Sequence, residues 1–527
     1  MKPLTPHWAD IAAARVVQTW GDQDTYTIAS GITPSGTVHI GNFREVITVD
    51  LVGKALKSLG KNVRFIYSWD DFDTLRKIPE NFPNKEMLKE HMRRPISRVP
   101  DPWGKVGSYA EANESSFETE LKRVGIAPEF IYQNKKYSQG VYAESMRHAL
   151  KHTAEIKEIL DAHRTEPLPE SWLPTAIYCE ACDRDTIENE SFDGEWSYSY
   201  ACTSCGHKAT TDIRTTKNLK LNWRTDWPMR WAFEKVHFEP GGKDHSSEGG
   251  SFDTGAKIIK KIWDRPAPNY VQYDFVSIKG SDGKMSSSKG HVITLGEALK
   301  IYSPEIVRWI FAVQRLNHDF ALAFDQDVIK CHDEYDRAEQ EVYSEGARSN
   351  PKLQASIRAY DLAQIGRLTD KTRPPFRPSF RELCNRLQSC SGDMERVAKR
   401  FYAESIRTED DKWSFKERCR CALNWLHEFA PQDFRYSIQT ERVDVPCSDS
   451  VQKAVGALRT LIEATDLETI SSQDFNQKIY DSAIKDTGVD AKDFFRVVYQ
   501  KLIARDQGPR LPGFLIELGK EKALELL

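Results

Sequence analysis

TIASGITPSGTVHIGNFREV, Thr27 to Val46, decides how the N-terminal part of the chain folds. Tyr26 to Ala29 is a short β-prone run that ends in a Gly/Thr/Pro/Ser/Gly turn, and the residues after Thr37 space their apolar side chains as a helix does, as far as Gly60. The following NVRFIYSW is an extended apolar run that stops at Asp70, Asp71 and Asp73. Strand, loop, helix and strand in that order make a βαβ unit with a parallel sheet. Ligands of such sheets bind at the carboxyl ends of the strands, where helix N-termini expose backbone N–H groups to anions. Gly31 and Gly36 permit close approach of backbone to ligand, with Pro34 and Ser35 between them, and Gly41 leaves a flat floor at a helical position. An interior glycine costs a helix roughly 1 kcal/mol, so its presence wants a reason. His39 and Asn42 offer donors to an anion, Asn42 without carrying charge. A core histidine satisfied by a neighbouring carbonyl, with Gly36 merely shaping a turn, is the competing reading on this stretch alone.

The α/β pattern continues. FETELKRVG reads as a helix, APEFIYQ as a strand, and YAESMRHALKHTAEIKEILDAHR as one long helix. From Leu168 to Thr216 the pattern changes to paired CxxC knuckles and then resumes, so this segment reads as an insertion. NYVQYDFVSIKG is a late strand leading into the loop SDGKMSSSKGH, and beyond about residue 300 helical patterns such as SPEIVRWIFAVQRL dominate. The expected organisation is an α/β fold: a Rossmann-like parallel-sheet catalytic domain in two parts (1–167 and 217–300), a zinc-ribbon insertion (168–216), a helical stem (301–345), and an all-α C-terminal region (346–527). A chain of 527 residues accommodates that many parts, because single cores stop growing at roughly 250–300 residues. The net charge of -4 gives no global pull toward nucleic acid, so any such contact depends on local basic clusters. No run of about 18 apolar residues occurs, and Arg15 and Gln18 break the N-terminal apolar stretch. No membrane span and a cytoplasmic location are expected.

In a reducing compartment the ten cysteines are thiols or metal ligands rather than disulfides. Cys179-x2-Cys182, a gap of 19 residues, and Cys202-x2-Cys205 have the spacing of a four-cysteine tetrahedral zinc site. Four thiolates leave no open position, so the zinc is structural; His207 is a competing ligand of lower rank. Lys208, Arg214, Lys217 and Lys220 nearby read either as phosphate contacts or as a solvated basic surface.

Lys284-Met285-Ser286-Ser287-Ser288-Lys289-Gly290 is a donor-rich loop of small residues, suited to folding over a triphosphate and stabilising a departing pyrophosphate. HIGN and KMSSSK, each after a strand, resemble the HIGH and KMSKS signatures of class I aminoacyl-tRNA synthetases. SGITPSGTVHIGNFREV, SWDDFDTLRKIP, WRTDWPMRW, EPGGKDH and KMSSSKG together resemble the class I lysyl-tRNA synthetase family, over residues 8–330 and more weakly beyond. The chain departs from the signatures at Asn42, where the family pattern has His, and at Ser287, where it has Lys; Lys289 stands in reach as a substitute.

The resemblance implies ATP with Mg2+, L-lysine and tRNA(Lys) as reactants, a structural Zn2+, and a monomer. By it, His39, Asn42, Lys284 and Lys289 are catalytic. Pro34, Ser35, Gly36, Gly41, Met285, Ser286, Ser287 and Ser288 join them around ATP. Gly31 and Thr33 contact the lysine backbone, Trp223 and His245 lie near its side chain, and Asp244 belongs to the same GKDH turn. The residue types agree with an ammonium substrate, which needs carboxylates or aromatic faces: Asp70 and Asp71 end a strand, and Trp223, Asp226 and Trp227 fall in one short span. Core packing of the tryptophans, recurring with Trp231 at helical spacing although Pro228 interrupts a helix, competes with that reading, as do solvated or capping roles for Asp70 and Asp71. Arg224 and Arg230 keep a glutamyl enzyme in play, and the two altered signature positions keep an inactive tRNA-binding paralogue in play.

Overall fold

The computed structural model describes residues 7–280 and 292–527. The described residues fall into two compact units, one drawn from 1–299, 304–322 and 338–367, the other from 300–303, 323–337 and 368–527. Among them, no helix is long and apolar enough to cross a membrane.

The first unit is α/β. Strands β1 (Tyr26–Ile32), β2 (Val63–Trp69), β3 (Glu129–Tyr132) and Val236–Phe238 form a parallel sheet in the order β3-β2-β1-(236–238). The central β1 is buried along its first five residues, as a strand covered on both faces must be. Past this edge the parallel arrangement continues as short pieces, Gly241–Gly242 on Gln272–Tyr273 and Val276–Ile278 on Phe320–Leu322. Helix α1 (Trp8–Trp20) precedes β1, and α2 (Ile40–Ser58) makes the β1-to-β2 crossover. Arg44 of α2 is buried; its guanidinium donates to the carbonyls of Phe275 (3.1 Å), Arg315 (3.1 Å), Leu316 (3.0 Å) and His318 (3.0 Å), which fixes the last strand pair against the mouth of α2.

Several elements differ from expectation. The long helix after residue 142 is two, Ala143–Lys151 and Thr153–Asp161, broken at His152, whose ring bonds the His148 carbonyl (2.8 Å) that a continuing helix needs for its own backbone N–H. The late strand is divided between Gln272–Tyr273 and Val276–Ile278, because the Phe275 N–H turns to Asp319 (2.6 Å) instead of a neighbouring strand. Pro228 does not interrupt the tryptophan segment: Trp223–Phe233 is one helix, its indoles packed in series at 5.0 Å and 4.6 Å. Phe320–Leu322 is a strand within sequence that otherwise reads as helical.

The cysteine-bearing insertion is a three-stranded antiparallel sheet, Ile187–Phe192, Ser197–Cys202 and Lys208–Asp212, closed at its base by the antiparallel pair Thr175–Ile177 and Leu219–Leu221. The second unit is helical. Its core includes Leu458, Phe475, Phe494, Leu502 and Phe514, and Trp425 is fully buried with its indole N–H on the Phe324 carbonyl (3.1 Å).

Candidate active site

At the carboxyl end of β1 the chain turns and α2 begins. His39 is the N-cap, extended at φ -112°, ψ 170°, and its Nδ1 accepts the Gly41 N–H at 3.1 Å. Asn42 closes the reciprocal bond, its Oδ1 accepting the His39 N–H at 3.0 Å. Both acceptors are thereby used on the backbone. In the neutral ring the proton is then on Nε2, and the Asn42 amide nitrogen is its donor end. Gly41 therefore stands in the first turn rather than the helix interior. A cavity of about 550 Å³ opens here, bounded by β1, this turn, Gly242–His245 and Tyr273–Val276. Of the residues singled out from sequence it brings together Gly31, Thr33, Ser35, Gly36, His39, Gly41, Asn42, Asp70, Trp223, Asp244 and His245. Pro34 is buried beside it without lining it. Lys284, Met285, Ser286, Ser287, Ser288 and Lys289 lie outside the described residues. On their C-terminal side, the Ile293 carbonyl accepts the Ile40 N–H at 2.8 Å, tying that part of the chain to the mouth of α2.

A deeper cavity of about 60 Å³ adjoins the first and shares Gly31, Glu45, Asp70, Trp223 and His245 with it; Trp227, Trp231, Arg230 and Glu239 complete its inner wall. Gly31 is required by packing as much as by any ligand: in register with Ser68 of β2, a Cβ on it would lie 2.7 Å from the Ser68 carbonyl oxygen.

The aspartates divide. Asp70 lines both cavities and pairs with Arg230 (2.7 Å); burial raises its carboxyl to about 6 against the pull of Arg230. Asp73 accepts Thr33 Oγ1 (2.7 Å) and Lys220 Nζ (2.5 Å), so Lys220, a phosphate-contact candidate on sequence, is instead buried behind the site. Asp71 lines neither cavity; it accepts the Asn134 N–H (2.7 Å), and burial raises it to about 7. Asp226 also stands behind the wall, on Tyr137 and Arg230 Nε (3.3 Å). Arg224 bonds Gly249 O and Thr254 Oγ1, both 3.0 Å, while Arg230 is committed to Asp70, Asp226 and Ser68. Arg224 lines neither cavity, and Arg230, which lines the inner one, has its charge already met by Asp70 and Asp226.

Two residues that the sequence did not single out complete the inner cavity. Glu45 accepts the Gly31 N–H (3.0 Å) and the Tyr273 hydroxyl (2.7 Å); burial raises it to about 8. Glu239 accepts the indole N–H of Trp227 (3.1 Å) and of Trp231 (2.6 Å); burial raises it to about 7. Glu45 lies one helical turn beyond Asn42, and Glu239 opens the EPGGKDH segment, so a signal existed: carboxylates flanking motif residues at helical or turn spacing.

A family model described as tRNA synthetases class I (K) matches residues 6–366. The chain belongs to this family. It is 42% identical over 519 residues to a lysine–tRNA ligase of Borreliella burgdorferi, covering 98% of each chain. It is 41% identical over 529 residues to one of Treponema pallidum (99% of this chain, 98% of the relative) and 39% identical over 530 residues to one of Thermococcus kodakarensis (99% of each).

In this class I synthetase the ribbon brings four cysteines together. The ligand atoms of Cys179, Cys182, Cys202 and Cys205 all lie within 4.8 Å of one another, with Sγ–Sγ distances of 3.6 Å for Cys179–Cys205 and 3.7 Å for Cys182–Cys202. Tetrahedral zinc with Zn–S bonds of ~2.3 Å separates its sulfurs by about 3.8 Å, so the donor set fits the metal. Each knuckle turns through a left-handed residue just after its second cysteine, Asp183 at φ +64° and Gly206 at φ +74°. His207 is outside the sulfur cluster.

Proposed function

We propose that the chain is a lysine–tRNA ligase, activating L-lysine with ATP and transferring it to tRNA(Lys). The observation that carries the reading is the inner cavity, where Glu239 is buried and Glu45 half-buried with hydrogen bonds from neutral donors only, directly beside the donor-lined cavity at the mouth of α2. Relatives named lysine–tRNA ligase, matched over nearly the whole chain, support the same assignment.

Lysine enters with its side chain inward. Trp223 and Trp227, stacked on one another at 5.0 Å, offer an aromatic wall to one side of the aliphatic stem, and the ε-ammonium meets Glu45. Gly31, Thr33 and His245 hold the backbone end at the boundary between the cavities. ATP, accompanied by magnesium, occupies the outer cavity with its phosphates toward His39 Nε2–H and the Asn42 amide. The lysine carboxylate attacks the α-phosphate and pyrophosphate leaves, its charge met by these donors and by the Lys284–Lys289 segment; the terminal ribose hydroxyl of tRNA then attacks the acyl carbon and AMP leaves. Lys289 takes the role of the second lysine of the KMSKS pattern. Residues 1–167 and 217–300 perform the chemistry, the zinc-bearing insertion approaches the acceptor end, and the helical region from 346 reads the tRNA beyond the stem at 301–345. The tRNA substrate is consistent with a reaction in the cytoplasm.

The test is charging of total tRNA with labelled lysine or glutamate in parallel. Lysine alone should yield acid-precipitable product. Glutamate charging overturns the subsite assignment, and no charging by folded protein overturns the enzyme reading.

A further inference from the structure

The inner cavity carries an excess of negative charge that its own residues do not balance. Its described lining residues include the carboxylates Glu45, Asp70, Glu234 and Glu239, the guanidinium of Arg230 and the ring of His245; Glu234 is paired with Arg64 at 2.8 Å. Arg230 is already engaged by Asp70 (2.7 Å) and, from behind, by Asp226 (3.3 Å). Glu45 and Glu239 are left with the Gly31 N–H, the Tyr273 hydroxyl and two indole N–H groups, all neutral. Two such carboxylates, one buried and one half-buried, with no cation hydrogen-bonded to either, relieve their desolvation and mutual repulsion by taking up a proton. A substrate ammonium brings the same charge to the same place, so proton and ammonium compete.

We propose that Glu239 is a specificity-determining residue: with Glu45 it holds one proton in the empty subsite, and the entering ε-ammonium displaces that proton to solvent. The inference rests on the lysine–tRNA ligase reading of the site. In the exchange the O–H bond of the carboxylic acid breaks, the proton passes to buffer, and the carboxylate pairs with the ammonium; no bond of lysine changes. Each accepts two neutral donors, but Glu239 also feels the nearby Arg230 guanidinium and is the better anion of the two. The proton therefore resides on Glu45, kept there by the charge of Glu239 and Asp70. The outer cavity, which Glu45 also lines, adds Asp73, Asp244 and Asp274 and one cation, Arg76, and His39, His245 and Tyr273 face the same space. Burial raises Glu45 to about 8 and Glu239 to about 7, in the order this assignment needs. A neutral isostere such as norleucine leaves the proton in place and forms no ion pair, which is how the pair of carboxylates discriminates.

Calorimetric titration of lysine into the full-length protein with tRNA(Lys) present, at one pH in buffers of different ionisation enthalpy, reads the exchange directly. Close to one proton should be released per lysine at pH 7, falling toward zero at pH 9. In aminoacylation the KM for lysine should fall about 25-fold from pH 6.5 to 8.5, as expected for a competing proton on a group titrating near 8, while the KM for ATP does not follow. Glu239→Gln should reduce the proton release at pH 7 and flatten the lysine KM profile, and Glu239→Asp should restore both in part. Lysine binding with no net proton release at pH 7, or a flat KM profile in the unaltered protein, overturns the inference while leaving the ligase reading standing. Binding of glutamate in place of lysine overturns both.

Discussion

Substituting Asn42 with Asp separates the two tasks that the structure gives this residue. Its Oδ1 accepts the His39 N–H at 3.0 Å and completes the cap of α2, while its amide nitrogen is the donor that the proposed ATP site uses. Aspartate keeps the acceptor, and a negative charge in the first turn of a helix favours folding by about 0.3–1 kcal/mol, so the melting temperature should hold or rise. The donor is lost, at about 1.5–3 kcal/mol for a hydrogen bond to a charged group. The new charge also repels the phosphates, by about 4 kcal/mol for unit charges 4 Å apart at an effective dielectric of 20 before salt screening. Even with most of the repulsion screened, about 3 kcal/mol is removed, or roughly 150-fold in kcat/KM for ATP. Aminoacylation at varied ATP, with thermal unfolding in parallel, measures both. The control Asn42→Ala should lose about 1 kcal/mol of stability with the cap. Asn42→Asp within threefold of the unaltered protein in kcat/KM for ATP would refute the placement of phosphate at the mouth of α2.

Two further outcomes are expected. Protein purified without chelator should contain one zinc per chain, and Cys205→Ser should lose it together with hydrogen-exchange protection of the Cys202 and Gly206 amides, which bond His207 O (2.8 Å) and Cys202 O (2.9 Å) in the knuckle; metal-free protein with a protected ribbon would contradict this. In the helical unit, burial alone would raise the Asp411 carboxyl, but the Arg373 guanidinium (2.8 Å) and the N–H groups of Phe376, Arg407 and Thr408 outweigh it and hold it below the usual carboxylate range. Its contribution is therefore full above about pH 4 and is lost as pH falls through the lower native value. Asp411→Asn should abolish that acid dependence and speed exchange at the Phe376, Arg407 and Thr408 amides at neutral pH; unchanged exchange would show the cluster to be inert.

The parts of the fold legible in the sequence were those with short-range causes. The βαβ start followed from periodicity between Tyr26 and Trp69, and the ribbon from four cysteines whose spacing only a knuckle pair explains. The breaks were not legible, because each depends on a bond to something distant or to a side chain: His152 taking the His148 carbonyl, or Phe275 turning to Asp319, 44 residues away in sequence. The site divides in the same way. The motif residues that line the outer cavity at the backbone turn were visible, whereas Asp71 and Asp226, chosen for their charge, stand behind the wall because the strand end and the helix point them there.

Charge type alone does not say which carboxylate is available to a cation; the accounting of donors around it does. Asp70 is conspicuous in sequence, ending a strand beside two other aspartates, yet Arg230 already answers it at 2.7 Å. Glu45 lies inconspicuously within a helix, but α2 turns it under Gly31, where β1 offers a single neutral N–H and Tyr273 a single hydroxyl. The same argument accounts for Asn42 in place of histidine. What the mouth of α2 requires at that position is an acceptor for the His39 N–H and a neutral donor for the ligand. An amide supplies both from one planar group, so in the proposed ATP site the departure from the HIGH signature keeps the role of the position.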